Sequence, residues 1–384
     1  MATEKLYYTD PYMTEFTARV LDCRPEKKSW LVTLDRTAFY PEGGGQPAAH
    51  GTLGGAKVTD VHEKEEVILH TCDRPLETGA EVTGRIDWER RFDHMQQHAG
   101  EHIISGILCA DYRCDNVGFH LGADTVTIVY NTDISWAQAL AAERKANETI
   151  WADTAAVITY PSREELDALD YRSKKELTGQ VRIVAFPGAD CCACCGTHVR
   201  RAGEVGLIKV LSVQKFREGV RMEILCGRRA LDVLGAVYEQ DRAVAQALSV
   251  KPEQTAAAVE RLQAELQEVK FRAGQLEEQV CAAEAEKFAG AGEALLIRPP
   301  MAPDAARRLA DAVAKSCGGL TAVFAGKDGE KYNYALIHPA GADIAPLVKA
   351  MNAALSGRGG GRNGFAQGSL QATEAQIRNF WAEK

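Results

Sequence analysis

The chain lacks any long apolar run. No stretch of its 384 residues approaches the ~18 consecutive apolar residues that a membrane-crossing helix needs, which excludes a helical membrane protein. The first residues, Met1-Ala2-Thr3-Glu4-Lys5, lack a basic segment leading into an apolar one. A cleaved secretion signal is therefore not expected, and a cytoplasmic location is. An excess of positive charge is missing as well. Lysine and arginine number 45 against 53 acidic residues, a net charge of -8. That excludes indiscriminate coating of nucleic acid, which needs a broadly basic surface, but it leaves room for a local basic groove. Histidine is scarce, with nine in the chain, so any clustering of histidines carries information.

What is present is ordinary in bulk. Hydrophobic residues make up 46% and charged residues 26%, as in soluble globular proteins. The length implies two or three domains at roughly 150 residues each. It suffices for large cores without disulfide staples. The eleven cysteines then read as metal ligands or reduced core thiols. Four of them, Cys191, Cys192, Cys194 and Cys195, fall within five residues.

Four regions follow from the patterning. Residues 1–89 read as β structure, with short Val/Ile/Thr-rich segments at Ser29–Leu34, Val67–His70 and Glu81–Ile86. They contain Phe39-Tyr40-Pro41-Glu42-Gly43-Gly44-Gly45-Gln46-Pro47, whose glycines allow positive φ and close approach of a ligand or another backbone. A structural turn would use the same residues. Residues 90–230 read as an α/β domain. Helices are expected at Asp93–Ala110 and Trp136–Asp153, and a capping box at Ser162 and Glu165. Strands are expected at Asp124–Tyr130, Val181–Phe186, Gly206–Val213 and Val220–Leu225.

Residues 231–290 read as helical. Val259, Leu262, Leu266, Val269, Ala273, Leu276 and Val280 form a heptad seam, and Pro252 starts that helix afresh. This segment is either a spacer or a dimer seam. Residues 291–384 form a second α/β unit. Its strands are expected at Leu295–Arg298, Leu320–Phe324 and Tyr332–His338, and its helices at Pro303–Ser316, Ile344–Leu355 and from Thr373. A glycine-rich stretch, Gly357-Arg358-Gly359-Gly360-Gly361-Arg362, precedes the last helix. The fold class is thus α+β and multidomain.

The chemistry concentrates in two places. His94, His98 and His102 stand four residues apart, so a helix presents them on one face, and an i,i+4 pair can offer two imidazoles to one metal. Cys191-Cys192-Ala193-Cys194-Cys195-Gly196-Thr197-His198 offers thiolate and imidazole. Together they would make a four-ligand site suited to zinc. Spacing leaves Cys194 and Cys195 as alternatives. A buried thiol cluster or a redox switch is the competing use of these cysteines.

These motifs resemble a known family. His98-Ala99-Gly100-Glu101-His102 and Cys194-Cys195-Gly196-Thr197-His198 are similar to the two zinc motifs of the alanyl-tRNA editing proteins, known as AlaX. The same motifs occur in the editing domain of alanyl-tRNA synthetase. The Phe-Tyr-Pro-Glu-Gly-Gly-Gly-Gln-Pro stretch resembles the family's N-terminal barrel. The Gly359–Gly368 region resembles the DHHA1 domain of the synthetase C-terminus. The resemblance runs nearly end to end and matches the long form of the family.

The resemblance implies a β-barrel over 1–89, a zinc-containing editing domain over 90–230, a coiled-coil-like helical linker over 231–290, and a DHHA1-like tRNA-binding domain over 291–384. It implies Zn2+ held by His98, His102, Cys194 and His198, with His94 outside the set. Cys195 departs from the family's usual glycine, and Ala99 and Gly100 vary the first motif. The implied activity is hydrolysis of the ester on mischarged alanine tRNA, with serine the expected error and glycine the next. It would act in trans, because too little chain precedes the editing domain for aminoacylation.

Zinc could polarise the carbonyl or acidify a water, although four protein ligands close a tetrahedral site. Glu101 and Thr197 are the candidate catalytic residues. Glu101 would serve as base, and Thr197 would orient a ligand or touch substrate. His120, Gly44 and Gln46 are the candidate substrate-binding residues. Arg358, Arg362, Gly360 and Gly361 are expected to meet tRNA, since glycines let phosphates approach the backbone. A homodimer through the helical or C-terminal region is also expected. Two other readings compete: an H-x-x-E-H zinc protease built on His98, Glu101 and His102, and a tRNA-binding module whose zinc is purely structural.

Overall fold

The computed structural model describes residues 2–173 and 179–384. They form two compact units, Met1–Ala243 and Val244–Lys384, with the boundary inside one helix, Gly227–Ala247.

After a short strand, Glu4–Lys5, and one helical turn, Leu6–Thr9, the first unit builds six antiparallel barrel strands: β1 (Glu15–Glu26), β2 (Ser29–Leu34), β3 (Gly51–Leu53), β4 (Ala56–Lys64), β5 (Val67–Cys72) and β6 (Glu81–Ile86). They pair in the order β1-β2-β5-β4-β3-β6, and β6 returns to β1, which closes a barrel. The period-2 pattern explains the faces. Phe16, Ala18 and Val20 turn inward from β1 while Glu15, Thr17 and Arg19 stay outside. Val32, Leu34, Leu53, Val58, Val61 and Ile68 complete the apolar interior. The glycine-rich loop leaves this barrel as a tight turn in which Gly43 and Gln46 exchange backbone hydrogen bonds. Gly44 and Gly45 have φ of 61° and 85° there, which explains the glycines.

Next comes α1 (Trp88–Tyr112), longer at both ends than the apolar pattern indicates. Asp87 caps it by accepting the Arg90 amide, and Arg113 ends it in the left-handed conformation. Nearly every residue from His94 to Leu108 is buried, so the helix has no solvent face for its middle turns. That is why the polar residues at its start do not read as helix. A four-stranded antiparallel sheet lies against it. Its strands are β7 (Asn116–Leu121), β8 (Val126–Tyr130), β12 (Ile208–Phe216) and β13 (Gly219–Cys226), in the order β12-β13-β8-β7. Helix α2 (Trp136–Ala152) packs on α1 and on β12. A smaller sheet of β9 (Val157–Thr159), β10 (Ile183–Phe186) and β11 (Asp190–Ala193) carries the first cysteines of the cluster. The capping box at Ser162 and Glu165 is present and starts a short helix, Arg163–Ala168.

The helical region consists of two helices, α3 (Gly227–Ala247) and α4 (Thr255–Glu286), with Pro252 starting a short turn between them. In the second unit, β14 (Ala294–Arg298), β15 (Thr321–Gly326), β16 (Lys331–Ile337), β17 (Arg358–Arg362) and β18 (Phe365–Gln371) pair in the order β14-β15-β16-β18-β17. Helix α5 (Pro303–Cys317) covers β14, β15 and β16, and α6 (Ala345–Ala354) lies against β17 and β18. Two apolar cores result, and α7 (Glu374–Glu383) closes the chain. The glycine run Arg358–Arg362 is the exposed edge strand β17, because its amides and carbonyls pair with β18.

One buried titratable group belongs to the barrel alone. His70 points into its interior, 2.8 Å from Thr37 Oγ1 and 3.0 Å from the Val32 carbonyl. Burial holds its pKa down at about 4 against 6.5 for a free imidazole. As pH falls, the unfolded chain therefore takes up the proton first. The neutral imidazole's contribution is fully present above pH 6.5 and is lost as pH falls toward 4, a loss of about 3 kcal/mol. Denaturant unfolding of wild type and His70→Gln between neutral pH and about pH 4 should show this excess acid sensitivity in wild type only.

Candidate metal centre

Helix α1 carries His98 and His102 one turn apart, and the segment after β11 brings Cys194 and His198 against them. The ring centroids of His98 and His198 are 4.6 Å apart, and those of His102 and His198 are 4.7 Å apart. One ligand atom from each of His98, His102, Cys194 and His198 lies within 4.8 Å of all the others. Tetrahedral zinc with these atom types places its ligand atoms about 3.5 Å apart, and Cys194 Sγ lies 3.5 Å from His98 Nε2.

The rings are aimed by partners behind them. His98 Nδ1 donates to Gln46 Oε1 at 2.8 Å. The Gln46 amide is itself fixed: its Nε2 donates to Thr197 Oγ1 at 2.8 Å, and its Oε1 also accepts the Thr197 amide at 3.2 Å. His102 Nδ1 donates to Asp190 Oδ2 at 2.9 Å, and Asp190 Oδ1 accepts from Arg172 Nε at 2.7 Å. Each Nδ1–H is thus engaged, which leaves Nε2 as the ring nitrogen that faces the cluster. His198 differs. It is buried, and neither of its ring nitrogens makes a hydrogen bond. An unmet buried polar atom costs about 1–3 kcal/mol, and a metal bond is the partner that the surrounding donors can share.

The loop geometry is equally constrained. Arg182 Nη1 donates to the carbonyls of Cys194 and Gly196, at 2.8 and 3.1 Å. A Cβ on Gly196 would stand 2.2 Å from His98 Cε1, so only glycine fits there. Gly45 is pressed likewise against Phe119, whose ring stacks on His98 at 4.9 Å.

Electrostatics matches the donor set. Burial opposes ionisation of Cys194, yet His98, His198 and His102 around it bring its thiol well below the ordinary value. Burial likewise opposes charge on His102, and Cys194 with Asp190 outweighs it and raises the imidazole pKa. Burial holds His198 neutral, its pKa lowered to about 3. A soft anionic sulfur among imidazoles suits zinc.

The other expected residues fall in different places. His94 lies outside the four, and burial followed by its neighbouring arginines lowers its pKa to about 3. Of the two alternatives, Cys194 and not Cys195 enters the cluster, and Cys195 is exposed. Cys192 approaches His102 and Asp190. The Glu101 carboxylate accepts from Ser105 Oγ at 2.8 Å and from Asn116 Nδ2, and it is not among the four. Thr197 and Gln46 stand directly behind His98, with Gln46 bound to histidine and threonine. Gly44 has open space around it. His120 is exposed, one residue from the Phe119 that meets the cluster, so strand alternation turns it to the other face. Arg358, Gly360, Gly361 and Arg362 lie in the second unit on β17. Asp190, Arg172, Phe119 and Arg182 were not legible as site residues. Asp190 left one local signal, an acid beside the cysteine run where a ligating histidine needs an acceptor.

A barrel, a domain with a buried His/Cys cluster of metal-ligand type and a separate α/β unit define a protein of the kind built from synthetase-related modules. Residues 5–90 match the family described as tRNA synthetases class II (A). Residues 181–221 match the threonyl and alanyl tRNA synthetase second additional domain, and residues 293–383 match the DHHA1 domain. The alanyl-tRNA editing protein AlaX-L of Pyrococcus horikoshii is 32% identical, over 99% of this chain and 98% of its own. The alanine–tRNA ligase of Pyrobaculum neutrophilum is 32% identical over 99% of this chain but only 44% of the ligase. The alanyl-tRNA editing protein Aarsd1-B of Xenopus laevis is 31% identical over 66% of each chain. The chain belongs to the alanyl-tRNA editing protein family.

If Gln46 and Asp190 aim the two histidines, Gln46→Ala and Asp190→Asn should each weaken zinc binding by roughly 10–100-fold. Competition with a chromophoric chelator measures this, and His120→Ala should leave the affinity unchanged.

Proposed function

We propose that the protein is a trans-acting aminoacyl-tRNA hydrolase that removes the wrong amino acid, serine first and glycine next, from alanine tRNA. The observation that carries this reading is the buried cluster of His98, His102, Cys194 and His198 in a chain that matches an alanyl-tRNA editing protein along its whole length. The need for such an activity is physical. A pocket built for alanine cannot strongly reject an isostere that adds a hydroxyl, so a second site must destroy the product.

In this reading the four residues hold Zn2+. When bound, zinc supplies Lewis acidity to the ester carbonyl or lowers the pKa of a water. The protein's own residues do the rest. Gln46 and Asp190 hold His98 and His102 in register. Phe119 forms an apolar wall against His98. The Thr197 hydroxyl accepts from Gln46 and retains its own hydrogen to donate to a substrate oxygen. Glu101, tied to Ser105 and Asn116, steadies α1. Arg358 and Arg362 meet tRNA phosphates from the glycine-rich edge strand, where Gly360 and Gly361 keep the backbone accessible. The protein works in the cytoplasm.

Alanine tRNA charged with serine and with alanine, mixed in turn with the purified protein, tests the reading. Serine should be released and alanine spared. Chelation, His98→Ala and Cys194→Ala should each slow serine release by about a hundredfold or more. Release of neither amino acid by a protein that holds zinc and binds the tRNA would replace the hydrolase with a binding module whose zinc is structural.

A further inference from the structure

Two cysteines meet where α1 ends. Arg113 takes the left-handed conformation there, with φ of 51°. A left-handed residue at a helix end brings the side chain four residues before it against the one that follows it. These are Cys109 and Cys114, and the Cys114 thiol donates to the Cys109 sulfur at 3.9 Å. An apolar contact usually fills this place. Here both side chains are thiols, and both are reduced.

The surroundings are not those of an apolar contact. Cys114 is buried, whereas Cys109 is half-buried. Both line a cleft of about 820 Å³ that Arg113, Arg172 and Cys191 also line. Polar groups converge on one of the two sulfurs. The hydrogen bond from Cys114, the positive charge of Arg172 and the Asn116 backbone amide lower the Cys109 pKa against the cost of burial. That same hydrogen bond, together with burial, raises the Cys114 pKa. One thiol is thus prepared to ionise beside a cation, while the other keeps its proton. The thiolate is the nucleophilic form, so attack on an electrophile falls to Cys109. Arg172 Nε also donates to Asp190 Oδ1 at 2.7 Å, so one guanidinium serves both this thiol and the acceptor of His102.

We propose that Cys109 and Cys114 form a redox pair that reacts with hydroperoxides, Cys109 attacking and Cys114 resolving. The Cys109 thiolate attacks one oxygen of the hydroperoxide, and the O–O bond breaks. The departing alkoxide or hydroxide takes a proton from solvent, and Cys109 is left as a sulfenic acid. The Cys114 sulfur then displaces the sulfenic hydroxyl. The two sulfurs bond, and the Cys114 proton leaves with that hydroxyl as water. The two thiols have lost two electrons, and the hydroperoxide has gained them. Starting 3.9 Å apart, each sulfur need move only about 1 Å to reach bonding distance. A dithiol reverses the bond by exchange. None of His98, His102, Cys194 and His198 takes part, so zinc is retained throughout.

Hydrogen peroxide added in equimolar amount to the full zinc-loaded chain, followed by alkylation, tryptic digestion and mass spectrometry, tests the proposal. Cleavage after Arg113 separates the two cysteines. Their bond therefore joins peptides 92–113 and 114–144, which hold one cysteine each. This crosslinked pair should be the first oxidation product, should form with zinc retained, and should vanish on treatment with dithiothreitol. Cys114→Ser should stop at a Cys109 sulfenic acid that dimedone captures. In the reduced protein at neutral pH, iodoacetamide should label Cys109 on the order of tenfold faster than Cys191, whose pKa burial and Asp190 raise. Oxidation of Cys194 first, with release of zinc, overturns the proposal. So does a bond from Cys109 to Cys191, or a Cys109 that stays unreacted.

Discussion

The first unit depends on one constraint: α1 is buried on nearly every side, yet it is full of polar residues. A buried polar group without a partner costs about 1–3 kcal/mol, and there are too many here to leave unmet. Most are met by other segments of the chain. Arg91 donates to the carbonyls of Pro11 and Ala38. Gln96 reaches the Glu204 carbonyl, and Gln97 exchanges two hydrogen bonds with the Cys226 backbone. His98 takes Gln46, Glu101 takes Ser105 and Asn116, and His102 takes Asp190. The barrel, the four-stranded sheet and the cysteine-bearing sheet all dock on this helix through its polar groups. The site is a consequence of the same requirement.

The cluster inherits its precision from this arrangement. Gln46 comes from a barrel loop and Asp190 from the start of β11, yet both end on nitrogens of α1. The barrel loop presses on β7 and the cysteine loop presses on α1 without room to spare, as Gly45 against Phe119 and Gly196 against His98 show. Side-chain rotation alone cannot rearrange the donors. Such preorganisation keeps ligand atoms poised at metal-bonding separations. His198 is the place where the protein leaves a buried demand to be met by something other than itself.

The second unit obeys different physics. Its sheet is covered by α5 on one side and α6 on the other, which buries two apolar cores. Gly359, Gly361 and Gly368 bring the backbones of β17 and β18 and the Tyr334 hydroxyl into contacts that a Cβ would block. Glycine at these points serves strand pairing first and surface accessibility second. Along α4, apolar residues stay outside and charged residues flank them in a heptad order. A helix that served only as a solvated strut would have no need of that order.

Periodicity and spacing revealed much of this protein. The ladder of histidines, the cysteine cluster, the capping box at Ser162 and the heptads of α4 are local patterns, and local patterns survive in a linear sequence. The motif order also showed the family, because His98-x-x-x-His102 and Cys194-x-x-x-His198 each form within a single segment. The tertiary structure decided what joins segments. Cys194 entered the cluster and Cys195 stayed in solvent because Arg182 and Gly196 fix how the loop turns. Phe119 rather than His120 met the histidines, since strand register sets which face each side chain takes. Gln46, 52 residues before His98, became its partner, and Asp190, 88 residues after His102, became the other. No one-dimensional signal links such pairs. Ligand identity was written in short-range spacing. Ligand orientation depended on hydrogen bonds that exist only once the distant segments are packed.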